Sequence, residues 1–235
     1  MYDLNTGALK HRITSGVGNV TQVVHIDERN RRIYFLGVGR EEGRDPYFRH
    51  LYRVNFDGRG LRLLTPEDAD HDVSLSPDGR FFVDNYSTPD TPPVAVLRTG
   101  DGRMVLELER ADASALLATG WTPPIPFTVK ARDGVTDLYG LLYRPSAFDS
   151  TKQYPIINNI YPGPQTGSVR SRSFTPARGD ARALAELGFI VVQIDGMGTA
   201  NRSKAFHDEC WHDLKDAGFE DRILWIQAAA KKYPY

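Results

Sequence analysis

The sequence places a tyrosine where an apolar segment gives way to a proline-rich turn. Residues 154–167 read YPIINNIYPGPQTG, so a run rich in isoleucine ends at Tyr161 and the turn Pro162-Gly163-Pro164 follows at once. Such a turn can hold a phenolic hydroxyl over a reacting carbonyl, where the O–H would donate to negative charge that develops on oxygen. The same pattern also fits a tyrosine at a strand end, with its ring in the core and its hydroxyl in water.

A second group of reactive side chains surrounds the single cysteine. His207 and His212 flank Cys210. Two histidines five positions apart do not share one face of a helix, and no fourth ligand accompanies them, so we predict surface histidines and a packed thiol, with no metal site. Nothing nearby marks the thiol as activated, which argues equally against a Cys-His nucleophilic pair. One cysteine also excludes an internal disulfide.

The first 110 or so residues consist of short strands and turns. Turn signals such as Asp57-Gly58, Pro77-Asp78-Gly79 and Asp101-Gly102 separate the strands, and we interpret their carboxylates as turn formers. The segment VVHIDERNRRIYFLG…LYRVNFDGRGLRLL resembles VSLSPDGRFFVDNY…VAVLRTGDGRMVLEL. A four-stranded unit that recurs at a spacing of about 40–50 residues is typical of propeller blades. A sandwich of short strands is the alternative. The predicted strands are Val20–Ile26, Arg32–Gly37, His50–Phe56, Leu61–Leu64, Phe81–Tyr86, Val94–Arg98 and Met104–Leu108.

From Pro123 onward the pattern changes to strands that alternate with helices. This alternation predicts a parallel sheet covered by helices on both faces. The sequence predicts the junction between the two halves in Ala111–Thr122. The predicted strands are Pro126–Ala131, Asp137–Tyr143, Tyr154–Tyr161 and Phe189–Ile194, and the predicted helices are Ala181–Leu187, Ser203–Trp211 and Glu220–Lys232.

Bulk composition excludes several classes of protein. Lys and Arg total 29 against 30 for Asp and Glu in 235 residues, so no broad positive field favours nucleic acid or an anionic membrane. No apolar run approaches the about 20 residues that cross a bilayer. The N-terminus lacks the apolar core of a signal peptide and reads as a strand-turn-strand unit with its turn at Asn5-Thr6-Gly7. We therefore expect the chain to begin inside a larger protein.

Taken together, the two halves resemble the dipeptidyl peptidase IV branch of the prolyl oligopeptidase family, which are serine peptidases with an N-terminal propeller and a C-terminal α/β-hydrolase domain. The resemblance is carried by the blade-like repeats, by the turn that begins at Tyr161 and by the later turn Asp195-Gly196-Met197-Gly198. It implies an all-β partial β-propeller, containing the last blades, over residues 1–113. A junction over 114–124 and the N-terminal part of an incomplete α/β-hydrolase domain over 125–235 would follow.

The resemblance assigns Tyr161 to the place of the family's oxyanion-hole tyrosine. A backbone N–H after the third hydrolase strand usually contributes to that hole, but Pro162 and Pro164 have no N–H to give, so a side-chain donor is a natural substitute. We interpret the turn at Asp195 as structural. Met197 stands where arginine is common in the family, which suggests a divergent subgroup. We expect no cofactor and no metal.

The catalytic serine, aspartate and histidine are expected to lie outside this chain. A hydrolase of this fold needs a Gly-x-Ser-x-Gly elbow, then an acid and a histidine, and no Gly-x-Ser-x-Gly occurs in the sequence. The resemblance places the elbow about ten to fifteen residues past Tyr235, and it places the glutamate pair that grips a free amino terminus in earlier propeller sequence. Two blades also cannot close a ring. We therefore interpret the chain as an internal fragment that is inactive alone.

For the intact protein, the resemblance implies hydrolysis of short peptides by acyl transfer. The partner is then a peptide substrate, with no nucleic acid and no membrane segment in this chain, and a homo-oligomer is compatible with it. The residues leave the cellular location undetermined, and the resemblance alone favours a periplasmic or secreted one. The residues leave open whether dipeptides or acylated residues are released or internal bonds are cut. A non-catalytic propeller and hydrolase-like binding protein, or an esterase of the same fold, are the alternatives.

Overall fold

The computed structural model describes residues 1–161, 163–169, 172–177, 179–216 and 218–234. The chain folds into two compact units. Unit 1 comprises Met1–Ser87 and Pro93–Ala111, and unit 2 comprises Thr88–Pro92 and Asp112–Tyr235. None of the helices in the described ranges has the length and apolar character needed to span a membrane.

Unit 1 consists of two four-stranded antiparallel sheets in which the strand order follows the chain. The predicted strands are confirmed, with ends that differ by one or two residues, and β5 lies where the repeat beginning at Val73 indicated a strand. The first sheet contains β1 (Asn19–Asp27), β2 (Arg32–Val38), β3 (His50–Asn55) and β4 (Arg62–Leu63). The second contains β5 (Asp70–Leu75), β6 (Phe81–Ser87), β7 (Val94–Thr99) and β8 (Met104–Arg110).

Apolar residues of both sheets share one core in unit 1. Leu36 of β2, Leu51 of β3 and Phe82 of β6 are almost completely buried in the same cluster. On β6 the neighbours Phe81 and Val83 are exposed, because successive side chains of a strand point to opposite faces.

The turns of unit 1 confirm the interpretation of their aspartates. Asp57 and Asp78 each accept a hydrogen bond from the backbone N–H two residues further on. The N-terminal turn is confirmed as well, since Gly7 N–H donates to the carbonyl oxygen of Asp3 and Tyr2 pairs with Leu9.

Unit 2 contains a mixed sheet in the order β11-β12-β10-β9. Its strands are β9 (Ile125–Lys130), β10 (Asp137–Tyr143), β11 (Ile156–Asn158) and β12 (Ile190–Ile194). β11 and β12 are parallel, whereas β10 is antiparallel to both of its neighbours. The prediction of a parallel sheet is therefore right only for β11 and β12, because the β9–β10 hairpin joins the same sheet.

Helices cover both faces of this sheet, as predicted. Ala181 and Ala185 of one helix pack on Val191 of β12, and Trp225 of another packs on Val192 on the opposite face. Trp225 lies so close to Gly140 that a Cβ there would be 2.6 Å from the indole. The helices are α1 (Ser114–Ala118), α2 (Gly179–Glu186), α3 (Lys204–Asp208) and α4 (Phe219–Lys232), with a 3-10 turn at Leu214–Asp216.

Two of the predicted elements are too long, and the helix predicted over Ser203–Trp211 spans only Lys204–Asp208. The strand predicted over Tyr154–Tyr161 is only three residues long, and Ile156 is 38% exposed because β11 is an edge strand. The helix predicted over Glu220–Lys232 is confirmed as α4, and Ile223 lies outside its buried face. The buried positions include Trp225 and Ala229, one helical turn apart, which leaves Ile223 55% exposed.

Candidate functional site

Tyr161 lies just beyond the carboxyl end of β11, in the loop that leaves the sheet. The residue is 55% exposed, so it does not occupy the core of unit 2. Its backbone N–H donates to Ser168 Oγ at 2.8 Å. Pro162, which follows it, lies outside the described residues, and Gly163 is buried with a φ of +140°, a conformation that L side chains rarely adopt.

A cavity of about 380 Å³ opens beside Tyr161. Its size falls within the range typical of small-molecule sites. Among the described residues, the wall combines hydroxyl, amide and small apolar side chains with the carboxylate of Asp180. The lining includes Asn159, Tyr161, Ser168, Thr175, Asp180 and Gln193.

Asp195, the first residue after β12, holds the loop that brings Ser168 and Val169 into the wall of this cavity. Its carboxylate is completely buried and accepts the backbone N–H groups of Ser168 and Val169. Gly167 has no room for a side chain, since a Cβ would lie 2.4 Å from Asp195 Oδ2. Asp195 therefore acts here as a loop-holding residue, in line with the structural interpretation of its turn.

A second buried carboxylate, Asp221 of α4, fixes the other side of the same turn. It accepts the N–H of Met197 at 2.8 Å and that of Arg132 at 3.0 Å, and the Arg132 guanidinium also contacts it. The Met197 side chain packs into the apolar core of unit 2. At this position a methionine is thus held by packing, where an arginine would bring a buried charge.

The side chains around the cysteine do not form a reactive pair. Cys210 is buried, and its Sγ lies 3.3 Å from the carbonyl oxygen of Gly198. His207 Nε2 lies 3.0 Å from the carbonyl oxygen of Pro164, and the ring of His212 packs against Trp211. The prediction of a packed thiol is confirmed.

Unit 1 contains a group of titratable side chains, two of them buried and Glu67 partly exposed, that no sequence pattern indicated. Within the described ranges, ligand-type atoms of Glu67, His71 and Asp84 lie within 4.8 Å of one another. The Arg98 guanidinium already contacts both carboxylates, with Nη2 2.6 Å from Glu67 Oε1 and Nε 2.9 Å from Asp84 Oδ2. His71 Nδ1 lies 2.8 Å from Asp84 Oδ1. Because a cation bridges the carboxylates, this group is an ion network of the protein's own side chains.

His50 lies beside this network and is almost completely buried. Its ring centroid is 5.0 Å from that of His71, and its Nδ1 is 3.1 Å from the carbonyl oxygen of Thr65. Burial lowers the pKa of His50 to about 4, and the charge of His71 acts in the same direction. His50 is therefore neutral at neutral pH.

Sequence reasoning found Tyr161 and the turn at Asp195 but missed Ser168 and Asp221. Ser168 stands seven residues after Tyr161 in a loop without periodicity, so no local pattern singles it out. Asp221 could have been noticed, because an acidic residue in the first turn of a helix is favoured by the helix dipole. That placement does not indicate a contact with Met197.

Comparison with known proteins agrees with this architecture. Residues 1–93 match the model of the dipeptidyl peptidase IV N-terminal region, and residues 177–235 match that of the prolyl oligopeptidase family. Together the two matches cover more than half of the chain. The chain is 28% identical over 235 residues to dipeptidyl peptidase 8 of Homo sapiens and, equally, to that of Mus musculus. It aligns over 95% of its own length and spans 26% of the length of each.

Solved structures give the same result. The crystal structure of Porphyromonas gingivalis dipeptidyl peptidase 4 matches with a TM-score of 0.75 and 26% identity, over 100% of this chain and 32% of the other. The four-stranded sheets of unit 1 resemble the propeller region of that peptidase. The chain belongs to the prolyl oligopeptidase family, in its dipeptidyl peptidase IV branch.

Proposed function

We propose that this chain is part of a dipeptidyl peptidase IV-like serine peptidase that hydrolyses short peptides by acyl transfer, with Tyr161 as a donor in the oxyanion hole. The proposal concerns the intact protein, since the chain spans 26% of the length of human dipeptidyl peptidase 8 and 32% of that of the Porphyromonas gingivalis enzyme. The observation that carries it is the position of Tyr161, exposed beside a cavity at the carboxyl end of a sheet strand.

The topology of unit 2 supports an α/β-hydrolase domain over 125–235. In open α/β sheets, ligands bind outside the carboxyl ends of the parallel strands. β11 is the third strand of this sheet along the chain, and in α/β-hydrolases the loop after the third strand contributes to the oxyanion hole. Tyr161 stands in that loop. Residues 1–113 would then form the last propeller blades, and 114–124 the junction.

The proposed chemistry is acyl transfer to a serine that the intact protein supplies. The serine oxygen adds to the scissile carbonyl carbon while a histidine takes its proton. The carbonyl oxygen becomes an oxyanion, to which Tyr161 O–H and a backbone N–H beside the serine donate. When the C–N bond breaks, the histidine gives its proton to the leaving amine, and water then releases the acyl group. One such donor is worth about 2.7–4 kcal/mol in the transition state.

The names of the relatives favour a dipeptide as the released product. A dipeptidyl peptidase must bind the free amino terminus of its substrate two residues before the scissile bond, and we assign no residue of this chain to that recognition. We place the amino-terminus recognition elsewhere in the intact protein, together with the nucleophile and the histidine. The 235-residue chain, which contains no Gly-x-Ser-x-Gly, is expected to be inactive alone.

Labelling with a fluorophosphonate tests this function. The intact protein should label at one serine and should release a chromophore from a dipeptidyl anilide with a free amino terminus. The chain of 235 residues, as control, should do neither. An intact protein that folds but does not label would overturn the proposal in favour of a binding protein, and labelling with turnover of simple esters alone would indicate an esterase.

A further inference from the structure

The backbone of Tyr161 leaves the β-ladder at a defined point. Asn159 N–H donates to the carbonyl oxygen of Val192 at 2.9 Å, so β11 and β12 stay paired one residue past the end of β11. In a parallel ladder every second residue donates to the neighbouring strand, so the next donor would be Tyr161 and its acceptor the carbonyl of Ile194. Instead, Tyr161 N–H donates to the Ser168 hydroxyl at 2.8 Å.

Ser168 is itself held by the residue that follows β12, the strand with which Tyr161 no longer pairs. The side chain is buried, and its backbone N–H donates to Asp195, which directly follows β12. The next N–H, of Val169, lies 3.3 Å from each carboxylate oxygen, and Nη2 of the buried Arg222 lies 3.5 Å from Ser168 Oγ. The hydroxyl therefore has a fixed place relative to the ends of both strands.

We propose that Ser168, locked by Asp195, is a positioning residue that sets the backbone of Tyr161 and thereby the direction of its phenol. Ser168 bridges the gap that opens between β11 and β12, so Tyr161 leaves the sheet at one fixed angle. The inference rests on the proposed function of Tyr161. Since the reaction depends on placement of the donor to within a fraction of an ångström, a loss of this contact should slow turnover.

A double-mutant cycle on the intact peptidase tests the proposal. Tyr161→Phe, Ser168→Ala and the double variant are compared with the wild type for kcat and KM on a dipeptidyl anilide. Ser168→Ala should lower kcat about tenfold with little change in KM. In the Tyr161→Phe background the same change should have almost no effect, because a residue that acts through the phenol has nothing left to position.

Thr65→Ala is the matched control, because its buried hydroxyl likewise accepts a backbone N–H, that of Leu51 at 2.9 Å, but in unit 1. It should lower the melting temperature and leave kcat unchanged in both backgrounds. If Ser168→Ala does not fold, the cycle is run with Ser168→Cys, which keeps the shape of the side chain, with a slightly larger atom, but offers a weak acceptor.

The outcomes separate this proposal from the function on which it rests. If Tyr161→Phe slows turnover while Ser168→Ala does not, or if the two losses are additive, the positioning role is refuted and the function of Tyr161 stands. If Tyr161→Phe leaves kcat unchanged, the proposed oxyanion role falls, and the positioning role with it.

Discussion

The stability of unit 1 should fall as the pH drops below 6.5, because of His50. Its pKa is lowered to about 4, whereas an unfolded histidine titrates near 6.5. Between these two pKa values, His50 is protonated in the unfolded chain but neutral in the folded chain. The free energy of unfolding that is present above pH 6.5 is therefore progressively lost down to about pH 4. At about 1.4 kcal/mol for each pH unit, the whole span is worth about 3 kcal/mol, and the step from pH 7 to pH 5 about 2 kcal/mol.

The groups around His50 explain why the folded state refuses the proton. The ring is 3% exposed, and its Nε2 has no hydrogen-bond partner among the described residues. The charges that act on it are those of His71 and Arg44, which oppose protonation, and of Glu41, which favours it. His50→Asn is the matched variant, since the amide can still donate to Thr65 but has no proton to gain.

Amide hydrogen exchange in β3 is the assay, because it measures the opening free energy of unit 1 by itself. All three tryptophans lie in unit 2, so their fluorescence reports the other unit in the same sample. Wild type should lose about 2 kcal/mol more than His50→Asn between pH 7 and pH 5, after correction for intrinsic exchange rates. Equal losses in the two proteins would show that the protonation of His50 does not set this pH dependence.

Two further variants test one contact in each unit, the ion network of unit 1 and the packing of Trp225 in unit 2. Arg98→Met removes the cation that bridges Asp84 and Glu67, so the free energy of unfolding of unit 1 should fall by about 3–5 kcal/mol in urea, followed by circular dichroism. Adding Asp84→Asn should recover part of this loss. An unchanged urea midpoint in Arg98→Met would contradict the ion network. Gly140→Ala drives a methyl group into the Trp225 indole and should cost unit 2 about 1–3 kcal/mol in urea unfolding. The loss should shrink in a Trp225→Leu background, and equal losses in both would exclude the clash.

The strands of unit 1 could be predicted because their signals are local. Alternating side chains and Asp-Gly turns mark each strand, and the repeat supplies a second copy of the same evidence. The same local signals made the predicted β11 too long. An apolar run gives the same sequence signal in the centre of a sheet and at its edge. Only the strand order shows that, among the described residues, β11 has a paired strand on one side alone.

The contacts that hold the candidate site could not be predicted, because they join distant residues. Asp195 meets Ser168 across 27 positions, and Asp221 meets Arg132 across 89. Nothing in the local sequence of an aspartate shows whether its carboxylate caps a nearby turn, as at Asp57, or accepts hydrogen bonds from a distant segment, as at Asp195. Tyr161 was identified only because the turn after it resembles a known family, and its local sequence left the alternative of a strand-end tyrosine open.

The most direct test of the proposed oxyanion role of Tyr161 is the value of kcat for Tyr161→Phe in the intact protein. The substitution removes one hydroxyl from a side chain that is already more than half exposed, so little packing should be lost. If the phenol donates to the oxyanion, kcat should fall about 100- to 1,000-fold while KM stays nearly constant. A variant that folds, labels with fluorophosphonate and turns over at the wild-type rate would contradict the account.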